Sequence, residues 1–386
     1  YRLATAHELN GWVSNGSDGV HMEVQGGQHH LEAFLRTLFA EPPVRSHITN
    51  HHLTWLPEKD FRDFSIRESD TKGKTSVLLT PDIALCDACR EELHRKGKRQ
   101  GYAFTTCTHC GPRYSIIQQL PYDRANTTMR SFEMCGSCQR EYDNPFDSRY
   151  FSQTNSCPRC AVELTVMDRE QHIRATQPMA CVTFVQQQLA AGKIIAVKGI
   201  GGYLLLADAT NAGAIVALRE RKHRPSKPFA LLYSDLEVLQ KDVHVSDDAA
   251  VALRGPTAPI VLLPLRDKPA SGLAVEQVAP GLPCIGAMLP YAPLLELLMH
   301  NLHHPVVATS GNVSGSPIFF RDNEALSHLS HIADFFLIHN RDIVVPQDDS
   351  VWQFTPDTAK RIVLRRSRGM APTILPNVLQ AAVPAT

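Results

Sequence analysis

Cys86-Asp-Ala-Cys89, Cys107-Thr-His-Cys110, Cys135-Gly-Ser-Cys138 and Cys157-Pro-Arg-Cys160 hold eight of the ten cysteines of this 386-residue chain. A C-x-x-C turn points two thiolates at one ion, and two such turns complete a tetrahedral four-sulfur shell. The stretches between the pairs, 90–106 and 139–156, have zinc-ribbon length, so the spacing predicts tandem zinc fingers with two zinc ions over residues 80–165. A disulfide framework suits the sequence poorly, because no basic segment followed by an apolar signal core opens it. Four thiolates leave no open coordination position, so both ions are expected to be structural, each replacing a core that a unit of ~35 residues cannot build. His109 then has no shell to complete, and Cys181 and Cys284 read as ordinary core cysteines.

The two halves of this region repeat. Each C-x-x-C is followed by a charged helix (90–94, then 139–142), an aromatic strand (102–104, then 150–151) and the second pair, as an internal duplication would give. Lys plus Arg and Asp plus Glu both total 39, so no net charge draws the chain toward nucleic acid or anionic membrane. No stretch approaches the ~20 apolar residues that span a bilayer, and a cytoplasmic protein is expected. Length calls for more than one domain, and the start at Tyr1, already helical in pattern, reads as a piece of a longer protein.

Beyond residue 175 helix and strand patterns alternate to about 380, predicting an α/β domain with a large mixed sheet. Strands are expected at 194–197, 203–206, 229–233, 259–263, 306–309, 335–338, 350–354 and 361–364, and helices at 182–191, 211–221 and 293–302. Cations crowd one turn, Lys222-His-Arg224-Pro-Ser-Lys227, just after Arg219 and Arg221. Something anionic would relieve their repulsion. Thr309-Ser310-Gly-Asn312-Val-Ser314-Gly315 follows an apolar strand and offers close backbone approach with hydroxyl and amide donors. Arg365, Arg366 and Arg368 supply a third cationic turn. Together these predict a site for a nucleotide polyphosphate, with Mg2+ bridging phosphate oxygens and Asp348 or Asp349 as carboxylate candidates.

The string Thr106-Cys-Thr-His-Cys-Gly-Pro-Arg113 and the tandem around it resemble the twin fingers of the HypF family of hydrogenase-maturation carbamoyltransferases. Lys222-x-Arg224-x-x-Lys227-Pro, Ser310-x-Asn312-x-Ser314-Gly and the late Arg368-Gly are similar to the YrdC-like fold, whose members build carbamoyl-type adenylates from ATP. Lys198-Gly-Ile-Gly-Gly-Tyr203 matches the HypF form of that fold's first substrate loop and departs from the Thr-rich form of threonylcarbamoyl-forming relatives. Residues 1–75, with Asn10-Gly-Trp-Val-Ser-Asn15, resemble a ferredoxin-like acylphosphatase in which Asn15 orients the attacking water. The opening strand and arginine-bearing phosphate loop of that family are not among the residues given, so this sequence alone is expected not to hydrolyse acyl phosphates above background, and residues 1–70 are expected to be loosely folded.

The resemblance implies a multidomain α+β and α/β protein: a truncated acylphosphatase segment, two four-cysteine fingers and a YrdC-like ATP-binding domain. It also implies carbamate drawn from carbamoyl phosphate, its ATP-dependent conversion to carbamoyl adenylate with release of pyrophosphate, and transfer to the C-terminal cysteine of a HypE-type acceptor on the way to the cyanide ligands of [NiFe]-hydrogenase. Lys198, Tyr203, Lys222, Arg224, Lys227, Ser310, Asn312, Ser314, Arg366 and Arg368 would surround the nucleotide, with Lys222 and Arg224 acting in catalysis. Two rivals belong to other classes: an RNA-binding zinc module, opposed by zero net charge and by the lack of an aromatic-basic stripe, and a scaffold whose nucleotide site is inert. Thermal shift with nucleotide and with duplex RNA separates the three.

Overall fold

The computed structural model describes residues 1–16, 19–42, 46, 48, 50–67, 79–160, 162–313, 315–356 and 358–372. They form two compact units: Tyr1–Leu78 with Arg140–Phe151, and Leu79–Gln139 with Ser152–Thr386. Among the described residues no helix is long and apolar enough to cross a membrane.

In the first unit β1 (Asn10–Asn15) lies between β2 (Val20–Gln25), antiparallel from Asn10↔Gln25 to Asn15↔Val20, and β3 (Phe64–Ile66), parallel to it. Gly11 sits at φ +133°, where a Cβ would stand 2.0 Å from the Glu23 carbonyl oxygen, so only glycine lets β1 approach β2 there. The helix Gln28–Ala40 lays Phe34 against Ala4, Leu9 and Phe64, all buried. Arg2 donates to the carbonyls of Pro145 and Asp147 at 2.7 and 2.9 Å, which ties the 140–151 segment to this sheet. Against the expectation of loose folding, these strands are paired and packed.

The second unit holds both cysteine clusters and a sheet of eleven strands. In chain order these are β4 (Leu164–Asp168), β5 (Ile173–Ala175), β6 (Ile195–Lys198), β7 (Tyr203–Asp208), β8 (Ala230–Leu232), β9 (Ile260–Pro264), β10 (Cys284–Met288), β11 (Val306–Ser310), β12 (Phe335–His339), β13 (Val351–Phe354) and β14 (Arg361–Arg365). Their spatial order is β14-β13-β9-β10-β8-β11-β7-β6-β12-β4-β5, and the β6–β12, β8–β10 and β9–β13 pairs are parallel. The sheet is therefore mixed, as expected.

Both of its faces are covered. Along β7 Tyr203, Leu205 and Ala207 enter one core while Leu204 and Leu206 enter the other, which is why the strand is a continuous apolar run. Helices Ala212–Arg221 and Asp322–Leu329 cover the first face, through Ile215, Leu218, Ala325 and Leu329. Helices Pro178–Ala190 and Pro293–Met299 cover the second, joined by Tyr102, Phe104, Ile116 and Met129 from the finger region. The fingers thus share a core with the sheet. The aromatic strands expected at 102–104 and 150–151 are turns, because the chain must fold back sharply to present each second C-x-x-C. Cys181 is buried, whereas Cys284 lies only half-buried at the start of β10.

Candidate functional site

Each cluster begins at a helix N-terminus. Cys86 caps helix Asp87–His94 and Cys135 directly precedes helix Gly136–Asp143, with Cys89 and Cys138 in the first turns, where the helix dipole favours thiolate. Cys107/Cys110 and Cys157/Cys160 face them from tight turns. Within each group all four sulfurs lie inside 4.8 Å of one another. Their separations are 3.6 Å (Cys86–Cys107) and 3.8 Å (Cys107–Cys110) in the first cluster, and 3.7 Å (Cys135–Cys157), 3.8 Å (Cys157–Cys160) and 3.7 Å (Cys138–Cys160) in the second. A tetrahedron with Zn–S bonds of about 2.3 Å has edges of about 3.8 Å. The sulfurs therefore stand at the corners of two zinc sites, and the residues fit the ion.

Arg99 was not legible as part of either site. It is 1% exposed, and its Nη2 donates to Cys138 Sγ at 3.6 Å and to Asn155 Oδ1 at 2.8 Å, while Nε donates to Ser156 O at 2.9 Å. A zinc ion with four thiolates carries two negative charges in excess, and a guanidinium beside Cys138 offsets part of that cost in a buried setting. Because Arg99 belongs to the 90–106 stretch, it also couples the fingers, as do the Thr106–Thr154 hydroxyl pair at 2.8 Å and Tyr102 donating to Ser156 Oγ at 2.9 Å. Arg99→Met is expected to make the second cluster surrender zinc to a chelator about tenfold more readily; competition with a colorimetric chelator measures it, and an unchanged profile removes this role.

The other candidate residues meet around three loops of the sheet. Lys198 and Tyr203, flanking the glycine loop between β6 and β7, both grip Asp322: Lys198 Nζ lies 2.7 Å from Oδ1, which also accepts from the Tyr203 hydroxyl at 2.7 Å. Burial and that carboxylate push the Tyr203 phenol up, so it stays a donor. A Cβ on Gly201 would stand 2.3 Å from the Gln347 carbonyl oxygen. The Gly311 N–H donates to Tyr203 O at 2.6 Å, Tyr203 N–H to Phe319 O at 2.8 Å and Phe319 N–H to Gly311 O at 2.8 Å, lacing the glycine loop to the loop after β11.

Lys222 reaches that second loop from the cationic turn. It is 3% exposed and donates to Ser310 O at 2.8 Å, Asn312 O at 2.7 Å and Asn312 Oδ1 at 2.8 Å; Ser310 Oγ donates to the same Oδ1 at 2.9 Å. All three of its protons are thus engaged, and burial, with help from Arg224 and Lys227, pushes its pKa down to about 8. Arg224 is held down to about 10 by burial and by Arg219, its guanidinium 5.0 Å from the Phe229 ring. Lys227 is exposed. Arg219, whose role was not foreseen, shapes the turn by donating to Arg224 O at 2.8 Å, Lys227 O at 3.1 Å and Gln277 O at 2.7 Å. Asp348 lies in the field of Lys222, Arg224 and Lys227, and burial raises its pKa although it accepts from Arg365.

Lys222, Arg224, Lys227, Ser310, Asn312 and Asp348 are therefore brought together. Arg368 is enclosed instead: 1% exposed, it donates to Asp349 Oδ1 at 2.7 Å and to the carbonyls of Thr257 and Ala258, with its guanidinium 3.4 Å from the Tyr291 ring centre. Arg366 is exposed beyond β14, and Ser314 lies outside the described residues. Asn15 ends β1 with an exposed side chain.

The site and fold define a protein in which paired four-cysteine fingers are fused to a doubly covered mixed sheet with a cationic, glycine-rich loop cluster. The Sua5/YciO/YrdC family profile, described as telomere recombination, matches residues 187–367; the acylphosphatase profile matches 1–66; the HypF finger matches 85–117 and 134–167. Carbamoyltransferase HypF of Rhodobacter capsulatus is 43% identical over 380 residues, 97% of this chain and 49% of that protein. Carbamoyltransferase HypF of Synechocystis is 42% identical over 373 residues, 96% of this chain and 48% of that protein. A crystal structure of full-length HypF in the phosphate- and nucleotide-bound form matches with a TM-score of 0.87 and 39% identity, covering 96% of this chain and 48% of that one. This chain belongs to the HypF family, and it spans about half the length of the curated relatives it matches.

Proposed function

We propose that this chain carries the ATP-dependent step of a carbamoyl transfer. A carbamate oxygen attacks the α-phosphorus of ATP, the bond from that phosphorus to the oxygen bridging to the β-phosphate breaks, and carbamoyl adenylate and pyrophosphate result. The observation that supports this most is the convergence of Lys222, Arg224, Ser310 and Asn312 on one loop cluster, in a chain that aligns along 96% of its length with a nucleotide-bound HypF. Arg224 and Lys227 neutralise charge that grows on the leaving phosphates. Lys222, its protons committed to Ser310 and Asn312, sets the shape of the phosphate-facing loop, and Arg219 sets that of the cationic turn. Lys198 and Tyr203 hold the glycine loop through Asp322.

Mg2+ suits the site, because Asp348 offers a half-buried carboxylate beside the cations that would share the phosphates; it would bridge phosphate oxygens there. Carbamate would come from carbamoyl phosphate, in the full-length protein through its acylphosphatase-like part, and the carbamoyl group would pass to the C-terminal cysteine of a HypE-type protein. Incubating the chain with ATP, Mg2+ and either carbamoyl phosphate or bicarbonate is expected to give AMP, pyrophosphate and a carbamoyl-adenylate mass in at least one case. Nucleotide binding without pyrophosphate release under both conditions would sink the adenylation reading.

A further inference from the structure

Behind the glycine loop lies a cavity that the chemistry above does not use. Phe104 and Thr106 of the finger region, Gly199, Tyr291, His339 and Arg341 line it, and its volume is about 30 Å3. A single water needs about 10–15 Å3 on the same measure. The space suits a planar species of about four heavy atoms and excludes a nucleotide.

Two buried groups on its wall lack partners. Arg341 is 5% exposed, and its guanidinium makes no hydrogen bond among the described residues; it stands 5.3 Å from the centre of the Phe104 ring. Five N–H donors are thus enclosed without acceptors, a costly arrangement in a protein whose Arg99, Arg219 and Arg368 are all buried and all hydrogen-bonded. Asp82, whose field reaches Arg341, is committed to the Arg113 N–H at 2.6 Å, to Ser115 and to Gln347 Nε2 at 2.7 Å. His339 is 2% exposed and approaches Phe104 edge-on at 5.3 Å. Its Nε2 lies 3.3 Å from the Gly199 carbonyl and must donate to it. Burial, Arg341 and Lys198 keep the ring well below its ordinary pKa and neutral, so Nδ1 is a bare acceptor, and it has no partner.

We propose that this cavity binds a small planar carboxylate-type anion that also carries a donor, the class of carbamate and bicarbonate, with two oxygens on Arg341 and its N–H or O–H directed to His339 Nδ1. Formate offers the oxygens without the donor, and chloride offers neither. The inference rests on the carbamate chemistry proposed above only for its biological meaning; binding itself is independent of the nucleotide.

The test titrates the full chain without nucleotide with 13C-bicarbonate, with ammonium bicarbonate solutions that contain carbamate, with formate and with chloride at fixed ionic strength, following 13C line widths and heat. Bicarbonate or carbamate is expected to bind at least tenfold more tightly than formate, since formate leaves the buried acceptor unpaired. Which of the two anions binds more tightly identifies the source. Arg341→Met is expected to abolish this binding while ATP affinity, measured in parallel, stays within twofold. Should Arg341→Met fail to fold, Arg341→Lys retains the charge, loses the two-pronged contact and is expected to weaken binding at least tenfold. His339→Phe is expected to erase the preference over formate. Equal binding of bicarbonate, carbamate and formate by the unmodified chain, or undiminished binding by the folded Arg341 variant, overturns the proposal. Anion binding that persists in a chain that cannot bind ATP leaves this site standing and removes the adenylation reading instead.

Discussion

Arg224→Ala is expected to slow pyrophosphate release by roughly 100-fold to 1000-fold, the loss that follows removal of one preorganised charge contact to a developing anion. The zinc content and the fold should stay intact. Arg224 spends its Nε on Lys227 O and stacks beside Phe229, but it lies in the turn that faces Asp348 and Lys227 rather than in the core. Lys222→Met is expected to act differently. It frees the Ser310–Asn312 loop, so nucleotide affinity and rate fall together. Lys222 also gives a pH signature. Its pKa in the folded chain is about 8, lowered from 10.5, so above pH 8 the amine loses one of the three protons that hold the loop. Affinity for nucleotide should therefore decline as pH rises through about 8, and Lys222→Arg should remove that limb. Stability moves the opposite way for this group: between about pH 8 and 10.5 the unfolded chain binds the proton that the folded chain has lost, so its contribution rises with pH. Steady-state kinetics with nucleotide titrations at several pH values check both variants. Unchanged rates in Arg224→Ala would detach that turn from the phosphates.

Much of this site is local in sequence, and that explains what could be read early. A C-x-x-C turn carries its ligand geometry within four residues, so both clusters were legible from spacing alone. Lys222, Ser310 and Asn312 were also foreseeable, because each stands at a strand or helix end with a recognisable pattern. Arg368 shows where the pattern fails. It looks like any exposed basic turn until Asp349, nineteen positions away, is found beside it, and its fate is then an enclosed ion pair. Arg219 fails in the same manner, since a basic last helical turn normally faces water while this one anchors a neighbouring loop. The strand β10 escaped notice because Gly286 interrupts its apolar run; a Cβ there would stand 2.9 Å from Ile260 Cγ2, a packing reason visible only once β9 lies alongside. Tyr102 and Phe104 mimicked strand alternation although their burial comes from docking on the sheet's second core. Arg341 and His339 carry no signal in sequence, because what marks them is the absence of partners.

Cys107→Ser is expected to reduce the zinc content from two ions to one and to unfold the first finger. The buried cluster around that site consists of Leu85 and Leu93 with Cys89, Cys107 and Cys110, so apart from two leucines its interior is the metal shell itself. Structural zinc in finger peptides contributes on the order of 10 kcal/mol, as much as the whole stability of an ordinary domain; two leucines recover only about 5 kcal/mol of burial. The loss should spread in two directions. Tyr102, Phe104 and Ile116 belong to the core on the sheet's second face, so their release exposes apolar surface there and lowers the melting temperature of the sheet. Arg99 leaves with the first finger and withdraws its N–H from Cys138, so the remaining ion should exchange with a chelator faster than in the unmodified chain. Metal analysis, chelator kinetics and hydrogen exchange over residues 84–117 report these effects separately. Retention of two ions, or of full amide protection across that stretch with one ion, would show that the first finger folds on its apolar contacts and that its zinc is incidental to the fold.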